Sequence, residues 1–235
     1  MAQGRDLHQK AEMARELEQD FVKALQLTDE ATVAYADEED SRGLAEVTAS
    51  RQNTFGHLYQ KTGNKNFLTL AKYTAQAAVE IAENSSIPEA LALPYRDLAK
   101  VYEDLKDYSK AATFHQKAVE AMRSHPPKEH ARPAVLADME AHLAYAQYKA
   151  GDKNAYIRLK SAIADLEKAG ETPYNKDVWL SGAHMRAAQM LREGSPDDAK
   201  IHLQRAKEII DNNKELTLRA EQWEKLAALF TDRVS

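Results

Sequence analysis

Eight histidines and no cysteine set the chemical range of this 235-residue chain. Without thiols there is no disulfide, no thiolate nucleophile and no Cys-ligated zinc or iron–sulfur centre. The histidines are scattered, and none stands in an H-E-x-x-H spacing that would bring two imidazoles to one helix face around an ion. His125 and His130 are close in the chain, but they sit among prolines (S-H-P-P through R-P), a poor frame for two ligands. No G-x-x-x-x-G-K-[ST], G-x-G-x-x-G or G-x-S-x-G occurs, so neither a phosphate cradle nor a nucleophile elbow is signalled. The carboxylates mostly alternate with Lys and Arg at helical spacing, as in Glu221/Lys225. That is the pattern of solvated helix faces, whose ion pairs contribute a few tenths of a kcal/mol each. The expectation is a protein with no catalytic residue, no metal and no cofactor: not an enzyme.

One stretch stands apart from the rest, Y-N-K-D-V-W-L-S-G-A-H-M from Tyr174 to Met185. Gly182 falls inside a helical pattern, where it costs ~1 kcal/mol relative to Ala. Two readings are open. Either Gly182 permits close packing with Trp179 filling the core, or it leaves room for a ligand faced by His184 and Tyr145.

The remaining composition bounds the partners. The formal net charge is −5 and charged residues make up 29%, which gives no general attraction to nucleic acid or anionic membranes. The first twenty residues, MAQGRDLHQKAEMARELEQD, hold no apolar core of a secretory signal. No run of 18 apolar residues occurs, so no membrane span is expected and a cytoplasmic location is. Eight glycines and seven prolines are about half of average usage. Ala, Leu, Glu, Lys and Gln dominate over Val, Ile and Thr, and this predicts an all-α chain.

The elements that must position any site show themselves as a repeat. Ala24/Ala31, Ala71/Ala78, Ala111/Ala118, Ala155/Ala162 and Ala199/Ala206 are pairs seven residues apart, nearly two helical turns, so each pair shares one face. The pairs recur at intervals of 47, 40, 44 and 44 residues. Ahead of each lies a turn: LEQDF, KTGNKNF, LKDYSKA, KAGDKNA and EGSPDDA. Gly63, Gly151 and Gly194 suit a left-handed helix end. Asn64, Asp107, Asp152 and Ser195 are candidate N-caps, and Pro196 suits a first helical turn. Each unit reads as two antiparallel helices whose crossing demands small side chains.

These residues resemble the tetratricopeptide (TPR) repeat. Phe55-Gly56-x-x-Tyr59-x-x-x-Gly63 follows the family's large–small–aromatic–Gly order, as does Leu98-Ala99-x-x-Tyr102 with Asp107-Tyr108-x-x-Ala111 and Ala118. The basic unit is ~34 residues, so the longer cadence is similar to kinesin-light-chain-type and bacterial regulatory TPR domains. Departures occur at Glu12, at the small position of the first unit, and at Arg186, where a large apolar residue is usual; the fourth unit is one residue short in its turn. The resemblance implies a right-handed α-solenoid of about five TPR-like hairpins plus a C-terminal capping helix. One domain over 1–235 is expected, with repeats near 5–38, 41–84, 88–124, 131–170 and 175–212. A cap is expected at 214–232, apolar at Leu218, Trp223, Leu226, Ala227 and Phe230.

The resemblance further implies a concave groove lined by the first helix of each hairpin, and a non-catalytic scaffold that holds a peptide or protein segment there. Counted from the alanine anchors in TPR fashion, the groove residues are Asn53, His57 and Lys61; Arg96 and Lys100; His142, Tyr145 and Tyr148; and His184 and Arg192. Met13, His57 and Lys100 stand where the carboxylate-clamp class carries asparagine, so heat-shock-protein tails are not implied. The alternatives are a regulatory sensor of a small peptide or metabolite, and an enzyme on the same scaffold. The partner's identity and the oligomeric state are not encoded in these patterns.

Overall fold

The structure, a computed structural model, describes residues 3–231. Eleven α-helices and no strand are found among the described residues: α1 Gln3–Glu16, α2 Phe21–Asp37, α3 Ser41–Thr62, α4 Lys65–Asn84, α5 Ala92–Asp104, α6 Tyr108–Ser124, α7 Pro133–Lys149, α8 Ala155–Lys168, α9 Pro173–Leu191, α10 Pro196–Asn212 and α11 Thr217–Thr231. The strongest packing joins α1 to α2, α3 to α4, α5 to α6, α7 to α8 and α9 to α10, which are the five predicted hairpins. All ten anchor alanines are completely buried, at 0% exposure. Any larger side chain there would have to push the paired backbones apart.

The turns have a shared chemistry that the sequence reading only partly caught. Gly63 and Gly151 take positive φ (69° and 118°), as expected, but Gly194 does not. Gln19, Glu39 and Lys106 adopt the left-handed conformation instead, with φ of 54°, 53° and 60°. Each is followed by an aspartate with two tasks. The N–H groups of Asp20, Asp40 and Asp107 donate to Ala14 O, Tyr35 O and Tyr102 O, closing the helix before. Their carboxylates accept from the N–H of Lys23, Gly43 and Lys110, capping the helix after. Asn64 also caps as expected, accepting from Asn66 N. Asp152 accepts from Asn154 N but stands two residues ahead of the N-cap position of α8, which Asn154 holds. Ser195 precedes α10 without a side-chain cap bond, although Pro196 does occupy the first turn.

By contacts the chain divides into two compact units, residues 1–129 and 130–235. In the first, the first helices of successive hairpins, α1, α3 and α5, also touch one another. Tyr35 is packed with Ala31, Val47, Leu7 and Leu44, and a Cβ on Gly4 or Gly43 would overlap its ring. In the second, α7 meets α9 and α9 meets α11. Met185, Ala188, Leu203, Ala206 and Leu226 form a core closed by Trp223, Ala227 and Phe230 of α11. Trp223 donates its indole N–H to Leu203 O at 2.9 Å. This is the expected capping helix; position 232 of the expected span lies outside the described residues. Trp179 is only half-buried and lies 5.9 Å beneath the Arg132 guanidinium rather than in the core. No helix among the described residues is long and apolar enough to cross a membrane.

Candidate functional site

In the first unit, α1, α3 and α5 carry one continuous row of polar side chains. It begins at Arg15, 5% exposed, which donates to Ser50 O and Ser50 Oγ at 3.0 and 2.8 Å. Its Nε reaches Glu16 at 2.6 Å, and Glu16 in turn faces His57 Nε2 at 3.5 Å. Burial pushes the Glu16 carboxyl up, but the His57 and Arg15 contacts outweigh it and hold the group well below the usual carboxylate range. His57 stacks on Phe21 with ring centroids 6.0 Å apart, and the Lys61 ammonium lies 5.4 Å from the centre of the same ring.

The row continues through Asn53, whose Nδ2 donates to Asp97 Oδ2 at 3.3 Å. Asp97 is 2% exposed and is held by Arg96 Nε at 2.9 Å and Lys100 Nζ at 3.5 Å. Burial alone would raise its carboxyl, yet Arg96 and Lys100 together pull it down to about 2. Two turns beyond Asp97, Asp104 is pushed up to about 7, by burial first and then by Glu103, against the pull of Lys100. All five expected residues of this unit are therefore brought together. Lys61 is exposed and Asn53, His57, Arg96 and Lys100 are part-exposed, while the carboxylate that orients Arg96 and Lys100 is buried behind them. Arg15, Glu16 and Asp97 were missed. The signal for all three was the adjacent opposite charges Arg15-Glu16 and Arg96-Asp97 within amphipathic runs.

The second unit places the expected residues differently. Tyr148 and Arg192 line a cleft of about 490 Å³ together with Lys149, Lys153, Met190, Leu226 and Leu229. The Lys153 ammonium sits 4.0 Å over the Tyr148 ring. His142, Tyr145 and His184 are buried, at 6, 9 and 6% exposure. His184 turns toward α10, where its Nδ1 is 2.9 Å from His202 Nδ1, and His202 Nε2 is 3.0 Å from the Tyr156 hydroxyl. Two ring nitrogens at that distance share one proton between a donor and an acceptor. Burial first, then His202 and Arg205, lower His184 to about 4. Burial also lowers His202. Both imidazoles are thus neutral near pH 7, which suits a structural hydrogen-bond chain.

On α9, Arg186 reaches across to α7, where its Nη2 is 3.0 Å from His142 Nδ1. Its signal in the sequence was its own oddity, an arginine where a large apolar residue is usual.

No family model matches the chain, and no curated protein matches it. Solved structures do. A Rap protein complexed with competence and sporulation factor superposes with TM-score 0.65 at 16% identity, covering 96% of this chain and 66% of that one. BtubC (BKLC) from P. vanneervenii gives TM-score 0.58 at 21% identity, covering 86% and 77%. A variant of a Podosopora anserina protein, described as a kinesin light chain with nearly identical TPR-like repeats, gives 0.58 at 16% identity, covering 90% and 96%. The chain has the TPR-like fold. In TPR terms α1, α3, α5, α7, α9 and α11 are the first helices of their repeats, α11 serving as the cap. The polar row of the first unit lies on that first-helix series, as does the Arg186–His142 contact.

Proposed function

We propose that the chain is a non-catalytic TPR-type scaffold that binds a peptide or protein segment along its concave first-helix face. The observation that carries this reading is the row Asn53, His57, Lys61, Arg96 and Lys100. Their donors stand at the surface while Asp97, only 2% exposed, fixes two of them from behind. Pre-oriented cationic donors on a rigid helix lattice suit carboxylates and main-chain carbonyls of an extended segment. The partner is therefore an acidic peptide segment rather than nucleic acid or membrane, and no metal or cofactor takes part. A cytoplasmic setting belongs to the same reading. The likeness to a Rap structure complexed with a competence and sporulation factor supports a second reading, a regulator whose conformation responds to a small peptide.

The test is a fluorescence-anisotropy titration with a library of acidic peptides. Lys61→Glu and the double variant Asn53→Ala/Arg96→Ala are each to weaken the best binder at least tenfold with circular dichroism unchanged. Undiminished binding by both would remove this face from the function. A peptide that raises the melting temperature and alters the solution scattering profile selects the regulator; one that binds without altering the profile selects the passive scaffold.

A further inference from the structure

In the first unit the N-caps of the second helices set a common register for the first ones. Asp20, Asn64 and Asp107 each accept a hydrogen bond from the turn that follows, and they stand 44 and 43 residues apart. Counting back seven residues from each cap reaches Met13 on α1, His57 on α3 and Lys100 on α5. Counting back three reaches Leu17, Lys61 and Asp104. His57, Lys61 and Lys100 belong to the polar row, so its continuation onto α1 is apolar. Met13 and Leu17 are 50% and 53% exposed. The Leu17 N–H donates to Met13 O at 3.0 Å, which carries the helical path one residue past α1 and sets both side chains on one face. Glu16, beside Leu17, meets His57 at 3.5 Å, so the apolar pair and the α3 donors adjoin. Phe21 holds those donors in place, stacked on His57 and 5.4 Å from the Lys61 ammonium.

We propose that this face selects an extended segment of a partner protein with the pattern apolar-x-x-acidic-x-x-acidic, the apolar side chain lying over Met13 and Leu17. The proposal rests on the peptide-binding reading above and supplies its sequence pattern. First helices that pack directly, as α1 with α3 and α3 with α5 do, stand about 8–10 Å apart. A polyproline-II segment rises ~3.1 Å per residue and returns to the same side every three residues, about 9 Å. One residue in three therefore meets each successive helix. The apolar one meets α1, the first acid meets His57 and Lys61, and the second meets Arg96 and Lys100. Asp104 disfavours a carboxylate at the far end of α5, so the second acid sits one turn earlier, at Lys100. Charge complementarity thus fixes the acidic positions, and the exposed apolar pair fixes the remaining one. A β-strand would turn its third residue to the opposite side, away from the face.

Fluorescence anisotropy of labelled, end-capped heptapeptides on the full chain tests the pattern. LAPEAPE, or the same spacing reversed as EPAEPAL, is to bind at least tenfold more tightly than LEEAPAP, which has the same composition. The tighter of the two spaced peptides is to lose about tenfold when its leucine is replaced by alanine. Met13→Ser/Leu17→Ser is to remove that leucine advantage and leave the alanine peptide's binding unchanged, whereas Lys61→Ala weakens both peptides alike. Both serine positions are exposed in the wild type, and circular dichroism verifies that the variant keeps the fold. Equal affinity of LEEAPAP and the spaced peptides overturns the spacing. A leucine advantage that survives in the serine variant overturns the anchor. Binding of the alanine peptide that Lys61→Ala weakens, with no leucine advantage, overturns this inference and leaves the parent reading standing. Absence of binding by every heptapeptide overturns the inference, and the acidic library then decides the parent reading. Dimerisation in sedimentation that the serine variant abolishes assigns the apolar pair to a second copy and equally overturns the anchor.

Discussion

Replacing Asp97 by asparagine removes one negative charge from the centre of the first unit with almost no change of shape. The carboxyl is 2% exposed, and its partners Arg96 and Lys100 hold it at about 2 in the folded chain against 3.8 as a free side chain. At about 1.36 kcal/mol per pH unit, this difference contributes about 2 kcal/mol to folding near neutral pH. Because the folded value is the lower one, the contribution is complete above pH 3.8 and is lost as the pH falls through about 2. Urea unfolding of wild type and Asp97→Asn, followed by circular dichroism, measures it. The gap between the two proteins is to be about 2 kcal/mol at pH 7 and pH 5, about 1 kcal/mol at pH 3 and a few tenths at pH 2. A gap of the same size at every pH would mean that Asp97 acts through packing, and no gap at pH 7 would mean that Arg96 and Lys100 do not hold it. Either result refutes the electrostatic account of the row.

Other perturbations probe other links. Ala118→Leu forces three further carbons into a position of 0% exposure and is to destabilise by about 1–3 kcal/mol; an unchanged melting temperature counts against the close hairpin crossing. Gly43→Ala sets a methyl group against the Tyr35 ring and is to cost about 1–3 kcal/mol by the same mechanism, whereas a neutral result would show that the ring yields freely. His184, neutral in the fold and lowered to about 4 from 6.5, refuses a proton that the unfolded chain accepts. Stability of the second unit therefore falls on acidification from pH 6.5 to pH 4, by on the order of 3 kcal/mol from this group. Comparing unfolding at pH 7 and pH 4.5, His184→Gln is to show a shallower loss than wild type, and an equal loss would clear His184 of that role.

The fold was legible because its determinant is a size restriction repeated at a fixed phase. Ala24 through Ala206 could be read as crossing points since only a small residue fits there, whatever surrounds it. In the first unit the same phase also placed the surface: Phe55, Leu98, Ala99 and Tyr102 are buried, so Asn53, His57, Arg96 and Lys100 fall beside the core stripe. On α9 the phase misleads. A fixed offset from Ala199 turned His184 outward, yet it is 6% exposed. About half a helical rotation from His184, Arg186 reaches α7 instead. That contact depends on His142, which is distant in sequence and meets α9 only in the folded chain. The turns failed for a related reason: left-handed backbone at Gln19, Glu39 and Lys106 is held by the aspartate that follows and by the helices on either side, so no glycine announces it.

Those shared aspartates tie the ends of consecutive helices into one object. Loosening the hinge residue before Asp20, Asp40 or Asp107 frees two termini simultaneously, so fraying cannot be confined to a single rod. Local opening of this lattice should consequently spread in pairs of rods, and amide exchange would register the two members of such a pair with matching protection.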